Sequence, residues 1–204
     1  MPARLSAALI ALLVFASFTV QVSINDGNPF TAFTLLFRFF TIWSNFAAGL
    51  VMGWVALGKP VDRRVLFALA TALSVVALVY HAVLAADHHP VGLDWWTNLA
   101  FHTLIPASVI AWWIAVTRTE GFALARVPYV MIAPVLYTLF ALTYGELTGF
   151  YAYFFLDKQT LGWGPLLANI VGLALFFMVM GGLLMGLRSL FGRTRPSSEI
   201  SADA

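Results

Sequence analysis

The chain has 204 residues, 61% of them hydrophobic and 10% charged, with a formal net charge of +2 and no cysteine. Soluble domains are nearer half apolar and a quarter charged, so this composition excludes an ordinary soluble domain. The missing cysteines exclude disulfides and thiolate-held metals.

Six apolar runs are long enough to span a bilayer, at residues 5–24, 31–57, 65–86, 95–116, 128–148 and 165–187. The expected architecture is an all-α, polytopic transmembrane six-helix bundle over residues 1–192, followed by a disordered cytoplasmic tail at 193–204. The first run exceeds the length of a signal-peptide core and precedes no small-residue cleavage site, so it reads as a span. The connections at 25–30, 58–64, 87–94, 117–127 and 149–164 are short, which implies antiparallel neighbours. Arg4, Lys59, Arg63, Arg64, Arg118, Arg126, Arg188, Arg193 and Arg195 fall on one side, leaving Arg38 and Lys158 to complete the total of 11. That bias places both termini in the cytoplasm and reports orientation rather than nucleic-acid binding. Gly49 and Gly53, and again Gly182 and Gly186, have the spacing that lets membrane helices approach closely.

The second run is the unusual one. Thr34, Arg38, Thr41 and Asn45 recur at helical spacing and would form one polar stripe among Phe, Leu and Trp. Such a stripe must face protein or water, not lipid. Thr41 is either a threonine bonded back to a carbonyl one turn earlier or, beside a base, a candidate nucleophile. Arg38, with Asn45 and Ser44, is the candidate group for binding a carboxylate or stabilising an oxyanion.

The fourth run supplies the base. His102 has the right intrinsic basicity to accept a hydroxyl proton. Pro106 cannot donate to the carbonyl four residues earlier, which is that of His102, so the helix should be distorted there. Both Thr41 and His102 are expected in the outer half of the bundle. Asn98, His81 and Glu146 are candidates to orient the imidazole. His81, Asp87, His88, His89, His102 and Glu146 could also be gathered into a metal site, but no pair has the spacing of a metal-binding helix motif. The aromatic stretch at 149–164 reads as an interfacial belt.

Three short patterns carry a family resemblance. Phe39, Phe40 and Thr41, the His-Thr-x-x-Pro of His102 to Pro106, and the Thr-Gly-x-x-x-Tyr-x-Phe-Leu of Thr148 to Leu156 resemble the androgen-induced membrane hydrolases. That resemblance implies hydrolysis of fatty acid esters of hydroxy fatty acids, with Thr41 as nucleophile and His102 as its base. The chain departs from the animal members, which carry an acidic residue at Ser44 or Asn45 and a proline where Ala152 follows Tyr151. Its short loops resemble bacterial six-pass relatives and imply an inner (plasma) membrane. The expected partner is a lipid substrate from the bilayer, with no cofactor, metal or nucleic acid. Two other readings stand beside it: a metal-dependent intramembrane hydrolase using the outer histidines, and a non-enzymatic lipid-binding or transport protein.

Overall fold

Long apolar runs that must satisfy their own backbone in lipid can only be helices. The computed structural model describes residues 2–25, 28–117 and 124–192; the tail expected at 193–204 lies outside them. Every long element among the described residues is helical: α1 Pro2–Ile24, α2 Pro29–Leu36, α3 Phe40–Ala56, α4 Arg63–Val79, α5 Leu93–Leu99, α6 Ile105–Val116, α7 Ile132–Thr148, α8 Lys158–Leu161 and α9 Trp163–Gly192. The chain is an all-α membrane bundle.

Five of the six expected spans are continuous: Pro2–Ile24, Arg63–Leu84, Leu93–Val116, Ala125–Thr148 and Trp163–Leu190. The second is not. The run at 31–57 breaks between α2 and α3, which are bent by 117°. The single polar stripe is therefore corrected: Thr34 and Arg38 do not share a helix face with Thr41 and Asn45. Nothing at the break is glycine or proline. Side chains from elsewhere hold it instead, by taking the backbone groups it frees. The Trp43 indole donates to the Phe37 carbonyl at 2.7 Å, the Tyr137 hydroxyl donates to the Arg38 carbonyl at 2.6 Å, and the Phe40 amide donates to the Tyr153 hydroxyl at 3.1 Å. In lipid each such group left unpaired would cost several kcal/mol. At 17 residues, α3 alone is only about 26 Å long, shorter than the hydrocarbon core.

The centre of the bundle is α4, with Leu66, Phe67 and Leu69 through Val76 buried. Its core carries 61% of its residues inside the protein, against 17% for the peripheral α9. The small residues of α3 do the work their spacing suggests: a side chain at Gly49 would lie 2.8 Å from Val14, so α1 and α3 pack closely there. Gly182 and Gly186 face open space instead.

The two ends differ in chemistry. One gathers basic residues: Gly58 packs against the Arg4 guanidinium, Trp112 donates to the Ala3 carbonyl at 3.0 Å, and Arg64 donates to the Tyr129 hydroxyl at 3.0 Å. The other end carries the loop around His88, α5, and the connector from Gly149 to Gly162. The two basic residues outside the majority both lie against that connector. Lys158 pairs with Glu146 at 2.7 Å, and the Arg38 guanidinium lies 4.9 Å from the Phe150 ring centre.

Candidate functional site

A chamber of about 450 Å³ opens beneath the loop end of the bundle, and both Thr41 and His102 line it. That size suits a small ligand. Each residue reaches the wall through a local departure from the α-helix.

Thr41 sits in the first turn of α3, just after the break. Hydroxyls in membrane helices usually donate to a carbonyl one turn back, and Ser17, Thr19, Thr71, Ser74, Thr117 and Thr148 all do. For Thr41 that carbonyl would be Phe37's, which lies beyond the break and already accepts from Trp43. The Thr41 hydroxyl instead meets the Tyr153 phenol, with which it shares a hydrogen bond. Desolvation pushes that phenol above its ordinary pKa, so it stays a neutral O–H. The N-terminus of α3 adds a partial positive field at the same place.

His102 lies in a π-turn, Ala100–Leu104, within the span formed by α5 and α6. The distortion expected from Pro106 is present in this form. The Ile105 amide donates to the Ala100 carbonyl, so the next bond in π register would join the Phe101 carbonyl to residue 106. Proline has no amide hydrogen to give. Asn45 gives one instead: its side-chain nitrogen donates to the Phe101 carbonyl at 3.0 Å and to the Thr41 carbonyl at 2.8 Å. One fully buried amide thereby ties the backbone of the threonine to the residue preceding the histidine.

The imidazole is held on two sides. Nδ1 is 3.1 Å from the Asn98 carbonyl. A carbonyl only accepts, so in neutral His102 the hydrogen is on Nδ1 and the lone pair is on Nε2. The ring stacks on Tyr80 at 3.8 Å between centres. Tyr80 in turn accepts from the Asn98 side chain at 2.6 Å and lies 3.3 Å from His88 Nδ1. Around the chamber mouth, Gln21 donates to Asp94 at 3.2 Å and accepts from Thr97.

The remaining expected site residues divide. Asn98 meets His102 through its main-chain carbonyl, while its side chain bonds Tyr80. His81 points elsewhere, its Nε2 lying 3.0 Å from the Thr103 hydroxyl. Glu146 accepts from Tyr151 at 2.6 Å and from Lys158 at 2.7 Å in the connector. Arg38 is turned onto Phe150 and Tyr144 and donates to the Thr34 carbonyl at 3.2 Å; it does not line the chamber. Asn45 lies between the two key residues, but both its amide hydrogens are committed to carbonyls, which leaves none for an oxyanion. Ser44 is buried with no partner for its hydroxyl and lines a separate groove between α3, α4 and α7. Among the described residues no three His, Asp or Glu side chains converge as a metal-ligand set.

Sequence reasoning missed Gln21, Tyr80 and Tyr153. Tyr153 was read as the tyrosine of the Thr148 to Leu156 pattern and as part of the interfacial belt, with no role in the site. A tyrosine one residue before His81 carried no signal of its own, because only the fold brings Tyr80 onto His102. No family model matches the chain, and neither a curated protein nor a solved structure matches it.

Proposed function

We propose that this protein is a membrane-embedded lipid ester hydrolase in which Thr41 is the nucleophile and His102 its base. The observation that carries the reading is that a threonine hydroxyl bonded to the Tyr153 phenol lines the same chamber as a histidine whose Nδ1 is held by a carbonyl. Such a histidine presents Nε2 as the acceptor. An unassisted threonine is a poor nucleophile at neutral pH, and a base beside it supplies the missing activation.

In this reading Thr41 Oγ1 attacks the ester carbonyl and Nε2 of His102 takes its proton. The developing oxyanion is met by the Tyr153 hydroxyl and by the N-terminal field of α3. His102 then protonates the leaving alcohol, and an acyl-threonine remains. Water activated by His102 releases the acid. Asn98 and Tyr80 keep the imidazole in place. The basic end faces the cytoplasm under the positive-inside rule, so the chamber opens toward the opposite leaflet, where an amphiphile can enter from the bilayer. The resemblance of the Thr41 and His102 motifs to the androgen-induced membrane hydrolases agrees with this pair.

The test is labelling of the full-length protein in lipid nanodiscs with a fluorophosphonate, followed by peptide mass spectrometry. The expected adduct is on Thr41, absent from Thr41→Ala and strongly reduced in His102→Ala. Equal labelling of all three proteins would reject the mechanism. A protein that binds the amphiphile without labelling would be a carrier instead.

A further inference from the structure

The groove between α3, α4 and α7 shares no lining residue with the chamber. Its rim carries the exposed apolar side chains Val65, Ile132 and Leu136, so it opens toward lipid. Its floor is buried at Ser44, Leu69 and Ala72. Ala47, Ala68, Ala72 and Ala133 keep the walls short, and the hollow follows from them. On α4 the wall runs from Arg64 to Ala72, a rise of about 12 Å, against about 15 Å for the hydrocarbon of one leaflet. An empty hollow would forfeit dispersion contacts along its whole lining. An apolar trough about one leaflet deep is a shape that an acyl chain fills.

Its basic end sets this groove apart from an ordinary furrow between helices. Asp62, Arg64 and Tyr129 line it there. Arg64 Nη1 donates to the Tyr129 hydroxyl at 3.0 Å, and the guanidinium lies 4.7 Å from the centre of that ring. This partner is neutral and leaves the charge of Arg64 in place. The phenol oxygen accepts the bond, so its own hydrogen is still to be donated, and the guanidinium keeps further N–H donors. The Asp62 carboxylate caps α4, accepting from the Arg64 amide at 2.7 Å. Two donor groups, one of them charged, thus stand at the headgroup end of an apolar trough. A phosphodiester only accepts, and it can take bonds from both.

We infer that the groove is a binding site for a phospholipid with an anionic head, drawn from the leaflet at the basic end, which is cytoplasmic in the orientation proposed above. Arg64 and Tyr129 hold the phosphate, and one acyl chain lies along Ala68, Ala72 and Ala47 toward Trp43. A basic pocket between helices favours anionic lipid. A zwitterionic head brings a cation of its own, which Arg64 repels. The site uses neither Thr41 nor His102.

Photo-crosslinking of the purified full chain tests this. The nanodiscs are phosphatidylcholine with a small fraction of a lipid bearing a diazirine on its acyl chain, either phosphatidylglycerol or phosphatidylcholine. Peptide mass spectrometry maps the adducts. Phosphatidylglycerol adducts are expected to concentrate on residues 43–51, 65–72 and 132–136, at about fivefold the yield of the phosphatidylcholine probe. Arg64→Gln should bring the two probes to equal yield, and Ala68→Leu, which fills the groove, should lower both. The unfolding midpoint shows that each variant is folded. Equal yields from the two probes on the wild type would overturn the site. So would phosphatidylglycerol adducts no denser in the groove than on the exposed face of α9 at Leu175 and Leu183, which would mean a lipid annulus only. A preference that survives in folded Arg64→Gln would overturn the assignment of the head to Arg64.

Discussion

The break before Thr41 and the π-turn around His102 differ in cause and in how they are held. The π-turn has a local origin: Pro106 lacks the hydrogen that a regular helix needs, and the backbone rearranges within one turn. The break has none. Residues Phe37 to Thr41 contain neither glycine nor proline, and hydroxyls from Tyr137 and Tyr153, some hundred residues away, stabilise it. One irregularity is written into its own segment, whereas the other exists only once the bundle has assembled. Asn45 joins them, since it replaces the hydrogen that Pro106 lacks and also bonds the first turn after the break.

The sharpest way to break this link is Asn45→Ala. It leaves the buried Phe101 carbonyl without a partner and takes the second donor from the Thr41 carbonyl, which keeps its helical bond, and the expected loss of stability is about 1–3 kcal/mol. Unfolding in mixed micelles measures it, and a loss within error of zero would mean that the two segments are not coupled through this amide. Next in size is Tyr137→Phe, which removes only the hydroxyl that satisfies the Arg38 carbonyl. The expected cost is about 1–2 kcal/mol, with a matching fall in activity because Thr41 loses its fixed position. Unchanged activity would show that the break persists without this bond. Smallest is Pro106→Ala, which restores an amide hydrogen near the Phe101 carbonyl. Alone it should change stability by less than about 1 kcal/mol. Combined with Asn45→Ala it should recover part of that variant's loss, because the new amide partners the carbonyl that Asn45 abandoned. Strict additivity would mean that the Phe101 carbonyl is not the shared partner.

The same contrast sets what was legible in the sequence. Five spans could be read because long apolar runs leave the chain no alternative to a membrane helix. The distortion at His102 was legible because proline acts on its own helix, although the shift to π register moved the orphaned carbonyl from His102 to Phe101. The polar stripe through Thr34, Arg38, Thr41 and Asn45 was misleading, because helical spacing assumes a continuous helix and the forces that interrupt this one come from α7 and the connector. Glu146 looked like a partner for His102, yet at the end of α7 it is bonded to Tyr151 and Lys158 of the connector. Such pairings depend on which helix ends meet, and no segment carries that information alone.

Whether Thr41 and His102 act as one unit is best settled by a double-mutant cycle on ester hydrolysis. Thr41→Ala, His102→Ala and the double variant are compared as folded proteins in nanodiscs. Members of a unit lose nearly everything when either is removed, so all three should fall to a common residual rate, on the order of 1,000-fold or more below wild type. Losses that multiply in the double variant, or near wild-type turnover by Thr41→Ala, would contradict the account.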